Sequence, residues 1–210
     1  MSPPLNALHQ PPPHRRVPRF FGDAFVERLL AHVAEREGDF ATTRLSEQRV
    51  DRSIRTSRLL RDFGNLRAEV EARFMAILDQ SVGALALPPI RLAELELELV
   101  AHGDGAFYRE HIDTATDRPG SKTARVLAGV YYFHRLPTGF AGGDLRLHAI
   151  VPAPDGGRAF IDISPDRDML LLFPAWAPHE VRPVSCPSGV FLDSRFAVNC
   201  WYRHQWDAAR

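Results

Sequence analysis

Apolar side chains are spaced in two ways along this chain, and the change of spacing divides it. In the first part they recur every three or four residues. Phe25, Leu29, Leu30 and Val33 share one side of a helix predicted over 23–37, with Asp23 available to cap it. Leu66, Val70, Phe74, Ile77, Leu78 and Val82 mark a second helix over 64–85, which Pro88-Pro89 closes. After residue 90 the period falls to two. Leu92-Ala-Glu-Leu-Glu-Leu-Glu-Leu99 alternates strictly, as a half-exposed strand does. Further strands are predicted over 106–112, 124–133, 143–150, 158–163, 168–173, 179–184 and 190–202, separated by Asp104-Gly105, Pro119-Gly120, Gly142-Gly143, Asp155-Gly156-Gly157 and Pro187-Ser-Gly189.

Two helices followed by about eight short strands predict a mainly β fold with some α: a double-stranded β-helix (jelly-roll, cupin-like) with N-terminal helices packed against one side. A length of 210 residues favours one domain. Within it, residues 1–18 form a proline-rich, disordered or extended lead-in, 19–90 the helical part, 91–203 the β core and 204–210 a short tail. Arginines at 44, 49, 52, 55, 58 and 61 punctuate a polar stretch, read as a solvated loop or irregular strands; the alternative is a basic surface facing substrate.

Composition narrows the classes. The 26 basic and 26 acidic side chains cancel, which argues against a nucleic-acid partner. Cys186 and Cys200 are too few for a disulfide framework and lack zinc-site spacing; they read as packing residues in a reducing cytoplasm. No run approaches the roughly 18 apolar residues of a membrane span. Prolines also occupy the N-terminus where a signal peptide needs an apolar stretch.

The candidate chemistry begins at His111-Ile-Asp113. In a strand, positions i and i+2 face the same side, so both could grip one ion. His179, in Pro178-His-Glu-Val-Arg-Pro183, offers a third ligand from a distant strand. Two His and one carboxylate hold three corners of an octahedron and leave three open, as non-haem iron oxygenases require. Arg195 follows in the last strand, and an inward guanidinium there suits a carboxylate ligand.

Four stretches then resemble the prolyl-4-hydroxylase type of 2-oxoglutarate/Fe(II) dioxygenases, and within it the hypoxia-factor prolyl hydroxylases: Tyr108-x-x-His-x-Asp113, Gly129-Val-Tyr-Tyr-Phe133, Gly142-Gly-Asp-Leu-Arg-Leu147, and Pro178-His-Glu-Val-x-Pro183 with Arg195-x5-Trp201. The resemblance covers a little over half the chain. It implies Fe(II) on His111, Asp113 and His179, with 2-oxoglutarate and O2 as cosubstrates and ascorbate as an allowed auxiliary reductant. Arg195, helped by Tyr132, would hold the distal carboxylate, with Trp201 at the site wall and Tyr108 beside it. The reaction implied is hydroxylation of a C–H bond with release of succinate and CO2, on a protein or peptide residue such as proline. The alternative substrate is a free amino acid or small metabolite. A non-catalytic binding protein on this fold would be expected to have lost a ligand or the Arg195 clamp, and a hydrolase with the same three ligands would have no use for it.

Relatives carry a tyrosine about ten residues before the first ligand; Ala101 or His102 stands there, so the pocket is expected to be wider or differently hydrogen-bonded. Base-repairing relatives carry a second Arg where Trp201 stands. His134 and His148 read as surface or loop residues, Glu180 as structural, and Asp144 as a turn former. Tyr131 and Tyr132 face opposite sides of the sheet. Arg125, Arg146 and Arg182 are candidates for a basic rim.

Overall fold

The computed structural model describes residues 8–42, 56–114, 121–154 and 156–206. The arginines at 44, 49, 52 and 55 and the Pro119-Gly120 turn lie outside these residues. The first helix, α1 (Asp23–Glu35), buries Phe25, Val26, Leu29, Leu30 and Val33. Its cap is not Asp23. Gly22 (φ 91) takes that position, and Asp23 pairs with Arg167 instead. The approach to the helix is held from far along the chain: the Asp168 carboxylate accepts hydrogen bonds from the Phe21 and Gly22 N–H groups, both at 2.9 Å, and from Tyr131 Oη at 2.8 Å.

The second predicted helix is broken. A 3-10 turn (Gly64–Leu66) leads into α2 (Arg67–Ala76), and α3 (Leu78–Ala84) restarts after Ile77. Tyr202 Oη donates to the Phe74 carbonyl at 2.8 Å, engaging an acceptor that a continuous helix would use for its own ladder.

Thirteen strands are found among the described residues. Seven form an antiparallel sheet: β1 (Arg15–Pro18), β2 (Ala41–Thr42), β3 (Arg58–Leu60), β4 (Leu92–His102), β6 (Thr123–Phe133), β10 (Met169–Pro174) and β13 (Arg195–Gln205), in the order β1-β10-β6-β13-β4-β3-β2. Facing it are β5 (Tyr108–His111), β8 (Leu145–His148), β9 (Phe160–Ile163) and β11 (His179–Val181), ordered β5-β11-β8-β9, while β7 (Ala141–Gly142) and β12 (Val184–Ser185) pair separately. Of the two forms expected for the lead-in, disordered or extended, Arg15–Pro18 takes the extended one, as an edge strand. Pro18 ends an edge strand, where its missing N–H is tolerated. The predicted last strand begins instead as a 3-10 turn, Phe191–Asp193, and its end runs past the predicted boundary to Gln205.

The larger sheet is covered on both faces. Leu97, Leu99, Leu127, Tyr131, Phe133, Leu170, Leu172, Val198 and Tyr202 pack against the three helices. The opposite side chains, among them Val130, Tyr132, Leu171, Phe173, Ala197 and Trp201, meet Leu145, Leu147 and Ile163 of the smaller sheet. This is the jelly-roll sandwich with a helical buttress. Double coverage explains why β6 and β10 read as nearly continuous apolar runs. It also changes the meaning of β4. Its leucines face the helices, but Glu96 and Glu98 point into the open end of the sandwich and are only partly exposed. Among the described residues no helix is long and apolar enough to cross a membrane.

Candidate active site

His111 ends β5, and its register partner across the ladder is His179, the first residue of β11. Asp113 lies two residues past the end of β5, beyond the predicted strand geometry. Its placement comes from its own backbone: the Asp113 and Thr114 N–H groups both donate to the Ala175 carbonyl, at 2.9 and 3.2 Å, just after β10. One ligand-capable atom from each of the three residues lies within 4.8 Å of the others.

The histidine tautomers follow from their second contacts. His111 Nδ1 is 2.8 Å from the Arg109 carbonyl and His179 Nδ1 is 2.9 Å from the Ala177 carbonyl. A carbonyl only accepts, so each Nδ1 carries the proton. In the neutral ring each Nε2 then turns a lone pair toward the Asp113 carboxylate, at 3.8 Å for His111 and 3.6 Å for His179. Two lone pairs converging on a carboxylate repel unless a cation sits among them. Carbonyl-anchored imidazoles of this kind are the usual support of metal-ligating histidines. Tyr108 stacks on the His111 ring at 3.6 Å between centroids, and Phe173 meets His179 edge-on at 4.8 Å.

The three residues open into a cavity of about 330 Å³. Trp201, Tyr108, His102, Asn199, Glu98 and Arg195 are also in its lining. Arg195 is fully buried, yet its Nε and Nη2 have no hydrogen-bond partner, and neither does the buried Tyr132 hydroxyl. The guanidinium lies over the Tyr132 ring, 4.8 Å from its centroid. Burial pushes the Arg195 pKa down, against the opposing influence of Tyr132 and the Asp144 carboxylate. Burial also raises the Tyr132 hydroxyl to about 12, so it is a neutral donor at physiological pH. A buried guanidinium with two open nitrogens beside a neutral phenol has the chemistry that suits a carboxylate.

Gly143 lies against the same arginine. Its φ is +72°, and a Cβ there would lie 2.6 Å from Arg195 Cδ and 2.9 Å from Val184 Cγ2. Tyr131, by contrast, faces the helices, where its hydroxyl bonds Asp168.

Other candidates separate cleanly. His134 packs edge-on against Phe140 and is held by the Arg135 carbonyl, away from the cavity. His148 sits between Glu110 and Glu180, with Arg146 and Arg182 also near Glu180. Among the described residues the basic rim is reduced to Arg125 and Arg61. Arg146 bonds Asp162 at 2.7 Å and Arg182 lies beside Glu180, both on the outer face of the smaller sheet. Asp144 accepts the Arg182 N–H at its backbone oxygen, at 2.9 Å, as a turn residue. Cys186 and Cys200 are buried free thiols.

Sequence reasoning missed Asn199 and Glu98, whereas Arg61 belongs to the basic segment offered as a substrate-facing surface. Counting by twos from Arg195 along β13 reaches Asn199 and Trp201, so parity alone could have found the first. Arg125 reaches the cavity only because the β6–β13 register shifts between Tyr202 and Arg203, reversing its face. There its guanidinium stacks 3.9 Å over Trp201.

An antiparallel sandwich holding a His-Asp-His cluster beside a buried arginine with two unpartnered nitrogens defines the class: a jelly-roll protein suited to a metal and an anionic cosubstrate. The chain belongs to the 2OG-Fe(II) oxygenase superfamily, whose family model matches residues 97–203. That family works with Fe(II), 2-oxoglutarate and O2, and the cluster and Arg195 fit the first two. The chain is 37% identical over 145 residues to an uncharacterized PKHD-type hydroxylase of Synechocystis sp. (strain ATCC 27184 / PCC 6803 / Kazusa), a match covering 66% of this chain and 46% of that protein. It thus spans about half the length of that relative. Among solved structures it resembles a Pseudomonas putida prolyl-4-hydroxylase (TM-score 0.64, 26% identity, covering 91% of this chain and 92% of that one). A Trichoplax adhaerens prolyl hydroxylase, solved with a hypoxia inducible factor peptide fragment, shares the fold (TM-score 0.64, 22% identity, 90% and 82% covered).

Proposed function

We propose that this protein is a 2-oxoglutarate-dependent Fe(II) dioxygenase that hydroxylates a residue of a protein or peptide, proline foremost. One observation carries the reading: Arg195, whose Nε and Nη2 lack partners and whose guanidinium lies over the Tyr132 ring, lines the same cavity as the His111-Asp113-His179 cluster. A dicarboxylate explains both at once, with its keto acid toward the metal and its far carboxylate on Arg195.

When bound, iron supplies the oxidising chemistry, in which cosubstrate decarboxylation to succinate and CO2 accompanies transfer of one oxygen atom to a C–H bond. The chain's part is to bind and orient. His111, Asp113 and His179 would hold Fe(II) from one side, leaving the opposite side to ligands. Arg195 and Tyr132 would orient the cosubstrate. Trp201, Tyr108, Val130 and Leu145 wall the cavity and limit water. The prolyl-hydroxylase relatives support proline as the target.

The test is anaerobic titration of the apo protein with Fe(II) and then 2-oxoglutarate, followed by visible absorption. Chelation of the keto acid gives a weak charge-transfer band that Asp113→Ala removes. Iron binding without the band overturns the cosubstrate assignment. Succinate release is then compared across proline-containing peptides and free amino acids. Turnover only on free amino acids replaces the peptide reading with a metabolite hydroxylase.

A further inference from the structure

His102 is a second buried side chain on the Arg195 guanidinium, with no part in the reaction as described. The two are register partners across β4 and β13, and His102 Nδ1 lies 3.3 Å from Arg195 Nη1. A guanidinium has no acceptor, so Arg195 donates and His102 accepts through an unprotonated Nδ1.

This contact selects an edge. Arginine can present a carboxylate with the Nε–Nη2 side or with the Nη1–Nη2 end. His102 engages Nη1, Tyr132 lies under the plane, and Gly143 leaves just enough room beside Nε and Cδ. The atoms without partners are Nε and Nη2, which form the side fork. The geometry points to His102 as a positioning residue that commits the Nε–Nη2 edge of Arg195 to the distal carboxylate of the cosubstrate. Without that acceptor the guanidinium can turn about its Cδ–Nε bond and divide its donors between two orientations. The inference rests on the proposed binding of 2-oxoglutarate at Arg195.

Anaerobic titrations with Fe(II) and then 2-oxoglutarate separate the two ideas. His102→Leu is expected to raise the 2-oxoglutarate Kd about tenfold, equivalent to ~1.4 kcal/mol, with the Fe(II) Kd within about twofold of wild type. His102→Asn, whose Oδ1 takes the Nδ1 position, should recover most of the loss. His102→Gln, whose oxygen reaches the Nε2 position instead, should not. If the leucine variant does not fold, the Asn/Gln pair decides alone. An unchanged Kd in His102→Leu while Arg195→Met loses cosubstrate overturns the role of His102. So does equal weakening in the Asn and Leu variants, or parallel loss of iron and cosubstrate. An unchanged Kd in Arg195→Met would remove the clamp itself.

Discussion

A guanidinium buried as deeply as that of Arg195, with two nitrogens lacking partners, lowers the stability of the protein unless an anion meets it. The consequence is measurable at one residue. Arg195→Met, which keeps the length and discards the charge, should leave the apo protein as stable as wild type or more so, by up to about 1–4 kcal/mol in chemical denaturation. The same variant should lose measurable 2-oxoglutarate binding. A destabilised Arg195→Met protein would mean that the guanidinium supports the fold through contacts other than those seen. Gly143→Ala probes the same site from the backbone. Left-handed φ costs an alanine about 1–2 kcal/mol, and the clash with Arg195 Cδ adds to it. Both the midpoint of unfolding and cosubstrate affinity should therefore fall, and unchanged affinity would place the carboxylate away from Gly143. Gly142-Gly143 was readable in the sequence as a turn. That the second glycine makes room for a side chain 52 positions later was not, because no local pattern encodes a long-range approach.

Strands and helices show where local reading ends. Periodicity located the helical part and the longer strands, since burial of one or both faces writes itself into spacing, but not the short β2 and β7. It missed the break at Ile77, where Tyr202 from the far end of the chain takes the Phe74 carbonyl, and it missed β1, whose arginines and proline give no apolar pattern. It also placed the glutamates of β4 in solvent. Glu96 instead ties three strands together, receiving Arg203 Nη1 at 2.6 Å and Arg125 Nε at 3.2 Å. Burial alone would raise the Glu96 pKa, but the hydrogen bonds from Arg125 and Arg203 outweigh it and the net shift is downward. A carboxyl depressed in the folded state contributes its stability above the unfolded glutamate range and loses it as pH falls toward the folded value. Glu96→Gln should thus cost about 1–2 kcal/mol at neutral pH, with the gap to wild type closing in acid. Urea melts at several pH values test this; a gap that stays constant on acidification would mean that the effect comes from packing and not from charge.

At the scale of the whole molecule, the metal cluster and the two apolar layers are separable. His-x-Asp and a distant His could be picked out of the sequence because the ligand types are distinctive. Their convergence depends on β5 pairing with β11 and on Asp113 hanging from Ala175, which are tertiary facts. The layers that bring them together, helices on sheet and sheet on sheet, are filled by side chains that do not touch the cluster, apart from Phe173 and the few that wall the cavity. The fold should accordingly persist without iron, unlike small domains whose metal site is their core. Chelator-treated protein is expected to keep its circular dichroism and a single cooperative transition. Ligand then acts by mass action: at a hundredfold excess over Kd, binding adds about 2.7 kcal/mol, or roughly 5–10 °C in Tm for a chain of this size. Fe(II) with 2-oxoglutarate under anaerobic conditions should give a shift of that order, and 2-oxoglutarate alone a smaller one, because half of its anchorage is then missing. Unfolding on chelation would make the cluster structural. An equal shift with and without metal would show that the dicarboxylate is held by Arg195 and Tyr132 without help from the three ligands, and the two halves of the site would then have to be assigned to different molecules.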